Sequence, residues 1–198
     1  QIVRTPFMVA FRSGWSDFIL VTVHILYGSG KAEDPDRTEE IRQLSQFMRK
    51  RSTDPNAWSN NIILLGDFNI FKPSDITMQA ILEAGFIVPE ELQDLPSNVA
   101  QNKFYDQIAF RVRKDRFGTT GQAGVFNFFE VVFREEDEEI YIPYMGESYH
   151  FTSSGDPRVN KDRYYKTYWR THQMSDHLPM WTELVIDFSK EYLKRKMK

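Results

Sequence analysis

The sequence predicts an α/β fold, and three stretches predict it. Asn61 to Ile70 holds four large aliphatic residues in succession, Ile62 to Leu65, followed at once by Gly66-Asp67-Phe68-Asn69. Such a run reads as a central strand, buried on both faces, that ends in a polar tip. Asp17 to Leu26 is a second buried strand, interrupted by His24. Between them, Arg37 to Lys50 carries Ile41, Leu44, Phe47 and Met48 at helical spacing with charges on the other side, as in an amphipathic helix packed on a sheet. The order is strand, helix, strand.

The remaining elements follow along the chain. Pro6 to Phe11 is a strand candidate, with Ser13-Gly14-Trp15-Ser16 as its turn. Tyr27 to Asp36 is a loop rich in Gly, Ser, Asp and Pro. Ser74 is a suitable N-cap for a short helix through Ala84 that Gly85 ends. Tyr105 to Val112 alternates as a half-buried strand, and Lys114 to Gly124 reads as a glycine-containing loop. A helix is expected within Phe126 to Tyr141, whose acidic run Arg134 to Glu139 reads as a solvated face. Thr152 to Pro157 is a loop, and Asn160 to His172 is aromatic, basic and helical. His177 to Phe188 is a final strand, and Ser189 to Lys198 a basic helical tail. With no repeat and no linker, residues 1–198 are expected to form a single domain.

Composition removes several chemistries. A length of 198 residues, 41% of them hydrophobic, suffices for a sizeable core. The net charge of −3 gives no general attraction to polyanions, so any such partner must meet a local basic patch. The absence of cysteine excludes disulfides, zinc–thiolate sites and cysteine nucleophiles. It fits a reducing compartment, and a cytoplasmic location is the expectation. No apolar run approaches the roughly 18 residues of a membrane helix. The chain starts at Gln1 and runs straight into a strand-like segment, so further sequence is expected upstream.

The chemistry concentrates where polar residues interrupt or end strands. Asp67 and Asn69 sit at the tip of the central strand, and a carboxylate with an amide two residues on suits a hard cation and a water beside it. His24 interrupts an apolar strand, Asp106 opens one, and Asp176-His177 leads into the last. An Asp beside a His can fix the imidazole tautomer or share a ligand with it. Each alone has an ordinary reading as a turn, strand-entry or core residue. Strand ends on one side of a sheet converge, and together these groups supply acids, an amide and imidazoles for metal-assisted phosphoester hydrolysis. Neither Gly-x-Ser-x-Gly nor a P-loop is present.

Gly66-Asp67-Phe68-Asn69, Tyr105-Asp106-Gln107-Ile108 and Ser175-Asp176-His177, with Thr22-Val23-His24 and Arg4-Thr5-Pro6, resemble the endonuclease/exonuclease/phosphatase superfamily in order and context. The resemblance spans Arg4 to Leu184. It implies a deoxyribonuclease-I-like four-layer α/β sandwich of two packed mixed sheets, incomplete at its N-terminus. It also implies roles. His177 resembles the catalytic histidine and Asp176 its metal-or-histidine partner. Asp67 resembles the aspartate that orients or deprotonates the attacking water, and Asn69 the residue that steadies water and phosphate. His24 matches a phosphate-contacting position, Asp106 the acidic residue that pairs with an active-site histidine or holds a phosphate-side network, and Arg4 a substrate-side position. Asp67, Asn69 and Asp176 are the implied ligands for Mg2+ or Mn2+, with the principal Glu ligand upstream of residue 1.

The implied activity is a metal-dependent phosphodiesterase or nuclease. The alternatives are a phosphatase or sphingomyelinase-like esterase on lipid or inositol phosphates, or a non-catalytic partial domain that binds. Expected partners are nucleic acid or another phosphoester. The roughly seventy residues between Asp106 and Asp176 exceed a minimal member's need, and an insertion there is expected to shape access. It contains Lys161, Arg163, Lys166 and Arg170 interleaved with Tyr164, Tyr165, Tyr168 and Trp169. Two readings stand for that stretch: a nucleic-acid surface, or a helix with aromatics inward and charges solvated.

Overall fold

The computed structural model describes residues 2–113 and 117–197. The chain forms two compact units, Gln1–Val125 with Met180–Lys198, and Phe126–Pro179.

The first unit is built on a mixed four-stranded sheet. Strand β1 (Phe7–Ser13) pairs antiparallel with β2 (Ser16–His24) across a two-residue turn, in which Gly14 takes φ +55°. Helix α1 (Pro35–Thr53) then crosses over, so that β3 (Ile62–Asp67) lies parallel to β2. Helices α2 (Ile76–Glu83) and α3 (Glu90–Gln93) follow, and β4 (Asp106–Arg111) closes the sheet antiparallel to β3 in the order β1-β2-β3-β4. The cap of α1 is Asp34, whose carboxylate accepts the Arg37 amide at 2.9 Å. Ser74 does not start α2; Asp75 takes that place, its carboxylate turned back to the Lys72 amide at 2.9 Å.

Alternation sorts the sheet's two faces. Ile19, Ile62 and Arg111 are register partners, and Arg111 donates to Ser52 of α1 at 2.6 Å, so this face meets the helices. Leu20, Ile63 and Phe110 share the other face with Phe18, where the Phe117 ring packs at 5.4 Å from Phe18 and 6.2 Å from Phe110. Strand β5 (Gly118–Val125) follows Phe117 and pairs antiparallel with β6 (Met180–Val185) as a two-stranded second sheet. Ala123, Met180 and Leu184 of this sheet pack against the core of the first. The α/β class and the two sheets are therefore present, the second sheet being antiparallel. The expected loop at Lys114–Gly124 is largely strand β5; Lys114 and Arg116 lie outside the described residues. The tail is α8 (Ser189–Lys196).

In the second unit the helix expected within Phe126–Tyr141 begins at Glu138, where α4 (Glu138–Met145) follows two 3₁₀ turns, Phe128–Glu130 and Glu135–Asp137, and precedes α5 (Glu147–His150). The acidic run forms the second 3₁₀ turn and leads into α4, with Arg134 paired to Asp137 at 2.8 Å across that turn. Asn160–His172 is helical as expected: α6 (Lys161–Tyr164), a π segment Tyr165–Trp169, and α7 (Arg170–Gln173). The unit's ends meet where the Phe126 amide donates to the Pro179 carbonyl at 2.9 Å. Among the described residues, no helix is long and apolar enough to cross a membrane.

Candidate active site

Three of the residues singled out by sequence stand side by side at one end of the first sheet. His24 of β2 is the register partner of Asp67 in β3, and Asp67 is the partner of Asp106 in β4. By alternation all three occupy the face that the second sheet covers further along. Asp67 and Asp106 are half-buried and His24 is exposed, so this end is open to solvent. The row exists because β2 and β3 run parallel and end together, while antiparallel β4 begins at that same end.

Gly66 lets β3 end this way. Its φ is +130°, and a Cβ there would land on the carbonyl oxygen of Val23 in the neighbouring strand. Only glycine allows this approach of two backbones. Past the tip, the Ile25 amide donates to the Asp67 carbonyl at 2.8 Å and the Phe68 amide to the Tyr105 carbonyl at 2.8 Å. The three strand ends are thereby tied together.

The carboxylates are oriented by different means. Asp67 Oδ1 accepts the Asn69 amide at 2.8 Å, and its Oδ2 lies 3.5 Å from His24 Nε2. Asp106 Oδ2 accepts the Ser97 hydroxyl at 2.6 Å, while Ser97 Oγ accepts the Asp106 amide at 2.9 Å. Asn69 is buried, takes φ +53°, and donates Nδ2 to the Ile25 carbonyl at 2.8 Å. Its amide group thus locks the tip of β3 to the exit of β2.

Arg4 is exposed just ahead of β1, whose first residue pairs with Thr22 near the His24 end. Asp176 and His177 belong to the second unit, Asp176 exposed and His177 half-buried, with the His177 amide donating to Ser175 Oγ at 2.9 Å.

Sequence reasoning missed several supports of the site end. Ser97 gave no signal, since nothing local marks a serine nine residues before its carboxylate. Glu40, which looks like part of the charged side of α1, is buried and accepts the Val3 amide at 2.9 Å and the Leu26 amide at 3.3 Å. Beside the row sits an aromatic group, in which the Phe71 ring lies 6.0 Å from Tyr27 and 5.4 Å from Tyr105.

Two carboxylates on paired positions present oxygen donors of the kind a hard divalent cation takes, and each carboxylate offers about four lone-pair directions.

No family model matches the chain. A deoxyribonuclease of Thioalkalivibrio sp. is 32% identical over 133 residues, which is 65% of this chain and 35% of that protein. Among solved structures, the CdtB subunit of cytolethal distending toxin has a TM-score of 0.40 at 17% identity, covering 91% of this chain and 51% of its own. An endonuclease/exonuclease/phosphatase family protein from Bacteroides thetaiotaomicron has a TM-score of 0.41 at 14% identity, covering 86% and 50%. The chain spans about a third of the curated relative's length. In its motifs the chain resembles the endonuclease/exonuclease/phosphatase superfamily.

Proposed function

We propose that this chain is part of a divalent-metal-dependent phosphoesterase, a phosphodiesterase acting on nucleic acid, and that residues 1–198 serve one domain. The row His24, Asp67 and Asp106 across three adjacent strand ends supports this reading above any other observation. The deoxyribonuclease relative supports the choice of nucleic acid.

Asp67 and Asp106 would hold the cation, with Asn69 and Asp176 as the further donors that the resemblance implies; when bound, it neutralises the phosphate and the leaving oxygen. Asp67 orients the attacking water, since its carboxylate is fixed by the Asn69 amide. Asn69 holds the tip on which that carboxylate stands. His24 lends a positive charge or a proton donor to the phosphate from the solvent side of the row. Asp106, fixed by Ser97, pairs with an active-site histidine. His177 is the catalytic histidine that carries the proton, Asp176 sets its tautomer, and Arg4 contacts the substrate.

The test is magnesium-dependent hydrolysis of plasmid DNA and bis-p-nitrophenyl phosphate, by this chain and by the full-length product of its gene. Cleavage abolished by EDTA, and lowered at least a hundredfold by Asp67→Asn and by His177→Ala, is expected from the loss of a general base or acid. Appreciable activity in His177→Ala would remove its catalytic role. Absence of cleavage in both proteins would overturn the phosphodiesterase reading.

A further inference from the structure

The second unit carries a groove of about 940 Å3 whose wall is the outward side of the 161–173 helix. That helix is aromatic and basic along its whole length, and the structure divides it into two sides of different character. On the inner side Tyr165 is fully buried, its hydroxyl donates to the Arg134 carbonyl at 2.7 Å, and its ring stacks on Tyr141 and Trp169. The cations of that side are neutralised: Lys166 and Arg170 lie 3.2 Å and 3.7 Å from the carboxylate of Glu135. This side is core.

The groove side has no such explanation. Arg158, Tyr164, Tyr168 and His172 form a ladder, with the Arg158 guanidinium 3.9 Å from the Tyr164 ring centre, Tyr164 stacked at 5.6 Å on Tyr168, and Tyr168 at 4.2 Å from His172. Tyr168 is 55% exposed, a large aromatic surface left in water. The Arg158 guanidinium donates to the carbonyls of Ser148 and Phe151, at 3.0 Å and 3.2 Å, and among the described residues has no carboxylate partner, so it keeps its net charge. Arg163 lines the same groove, is exposed, and among the described residues has no carboxylate partner. The acidic residue on the lining is Glu147. In a chain of net charge −3, a groove with two guanidiniums that have no carboxylate partner among the described residues, beside half-buried Tyr164 and exposed Tyr168, is a local reversal of sign.

We propose that this groove binds single-stranded nucleic acid, the guanidiniums taking phosphates and the tyrosine ladder taking bases. Arginine forks match phosphate geometry, and aromatic rings accept any base without regard to sequence. The proposal deepens the phosphodiesterase reading by naming a strand-holding surface, and it rests on that reading only for its biological use.

Binding is measured without turnover. A fluorescein-labelled dT12 oligomer is titrated with the full chain in EDTA and followed by anisotropy, with an abasic oligomer of equal length as the second probe. Tyr168→Ala is expected to weaken dT12 about tenfold and Tyr168→Phe to stay within about twofold, since stacking needs the ring and not the hydroxyl. The abasic oligomer should bind wild type about as weakly as dT12 binds Tyr168→Ala. Arg163→Ala should lower the slope of log K against log salt by about 0.7, the loss of one phosphate contact on a single strand. Equal dT12 affinity in wild type, Tyr168→Ala and Arg163→Ala overturns the proposal, as does no binding by wild type. If dT12 binds as expected and no protein cleaves DNA, the phosphodiesterase reading fails and the groove stands. If DNA is cleaved and the variants bind like wild type, the reverse holds.

Discussion

Replacing Asn69 separates what this residue does for the fold from what it does for chemistry. Two terms act on Asn69→Ala. The residue sits at φ +53°, where a side chain with Cβ costs about 1–2 kcal/mol and asparagine escapes part of that cost. Its Nδ2 donates at 2.8 Å to the buried Ile25 carbonyl, which the substitution orphans at about 1–3 kcal/mol. The sum is a loss of about 1–5 kcal/mol for alanine. Glycine keeps the backbone relaxed, yet gives back about 0.5–1 kcal/mol through its looser unfolded chain. The expected order of stability is wild type, Asn69→Gly, then Asn69→Ala. Asn69→Asp tolerates the backbone angle but aims an acceptor at a carbonyl, so it should fall below glycine. Urea midpoints at constant m-value measure this. Alanine equal to wild type, or at least as stable as glycine, would refute the account of Asn69 as the lock on the strand tip. A loss of turnover in Asn69→Ala would then have to come from direct contact with substrate or metal.

Gly66→Ala should lower stability by at least about 1 kcal/mol more than Gly155→Ala, because both have positive φ but only Gly66 faces a neighbouring backbone; equal urea midpoints would remove the close approach to Val23 from the argument. The Asp34 carboxylate is held well below the usual range by the Arg37 amide first, then by the hydroxyl and amide of Ser29. A folded-state pKa below the unfolded one means that the unfolded chain binds more protons in acid, so the contribution is complete above about pH 4–5 and is lost as pH falls below that. Acid unfolding of Asp34→Asn should therefore be shallower than that of wild type over about pH 2–4, and parallel curves would count against the cap.

Legibility in the sequence followed the range of the forces. Strands β1 to β4 and helix α1 announce themselves because burial imposes a local period, as in Ile62–Leu65 or Ile41, Leu44 and Met48. Strand β5 does not, since Gly118, Gly121 and Gly124 have poor strand propensity. It is a strand because β6, some sixty residues away, supplies its hydrogen-bond partners, with the register shift between Thr119 and Ala123 absorbing Gly121 at φ +86°. The helix expected within Phe126–Tyr141 starts only at Glu138, because Asn127 caps a 3₁₀ turn at Phe128–Glu130 and Arg134 and Asp137 cap a second at Glu135–Asp137. In the site, His24, Asp67 and Asp106 were legible as polar residues at the ends of apolar runs. Ser97 and Glu40 were not, since each acts on a backbone or carboxylate far from its own position in the chain.

The buried charges of α1 show why the site end needs more than its strands. Arg37 is fully buried, yet its guanidinium donates to the carbonyls of Tyr27, Lys31 and Ala32, the loop that leaves β2 three residues after His24. Glu40, one turn on, accepts amides from Val3 and Leu26 on either side of the β1–β2 pair. Burying these charges is costly, and apolar residues would serve the core better. Irregular backbone at a strand end, however, carries amides and carbonyls that no ladder satisfies. Helix α1 satisfies them from below, with a cation for the carbonyls and an anion for the amides. The loop after His24 is thereby held in one conformation, and the face carrying His24, Asp67 and Asp106 stays open above it. The residues that set the shape of this end are thus on the helix, and those that carry its chemistry are on the strands.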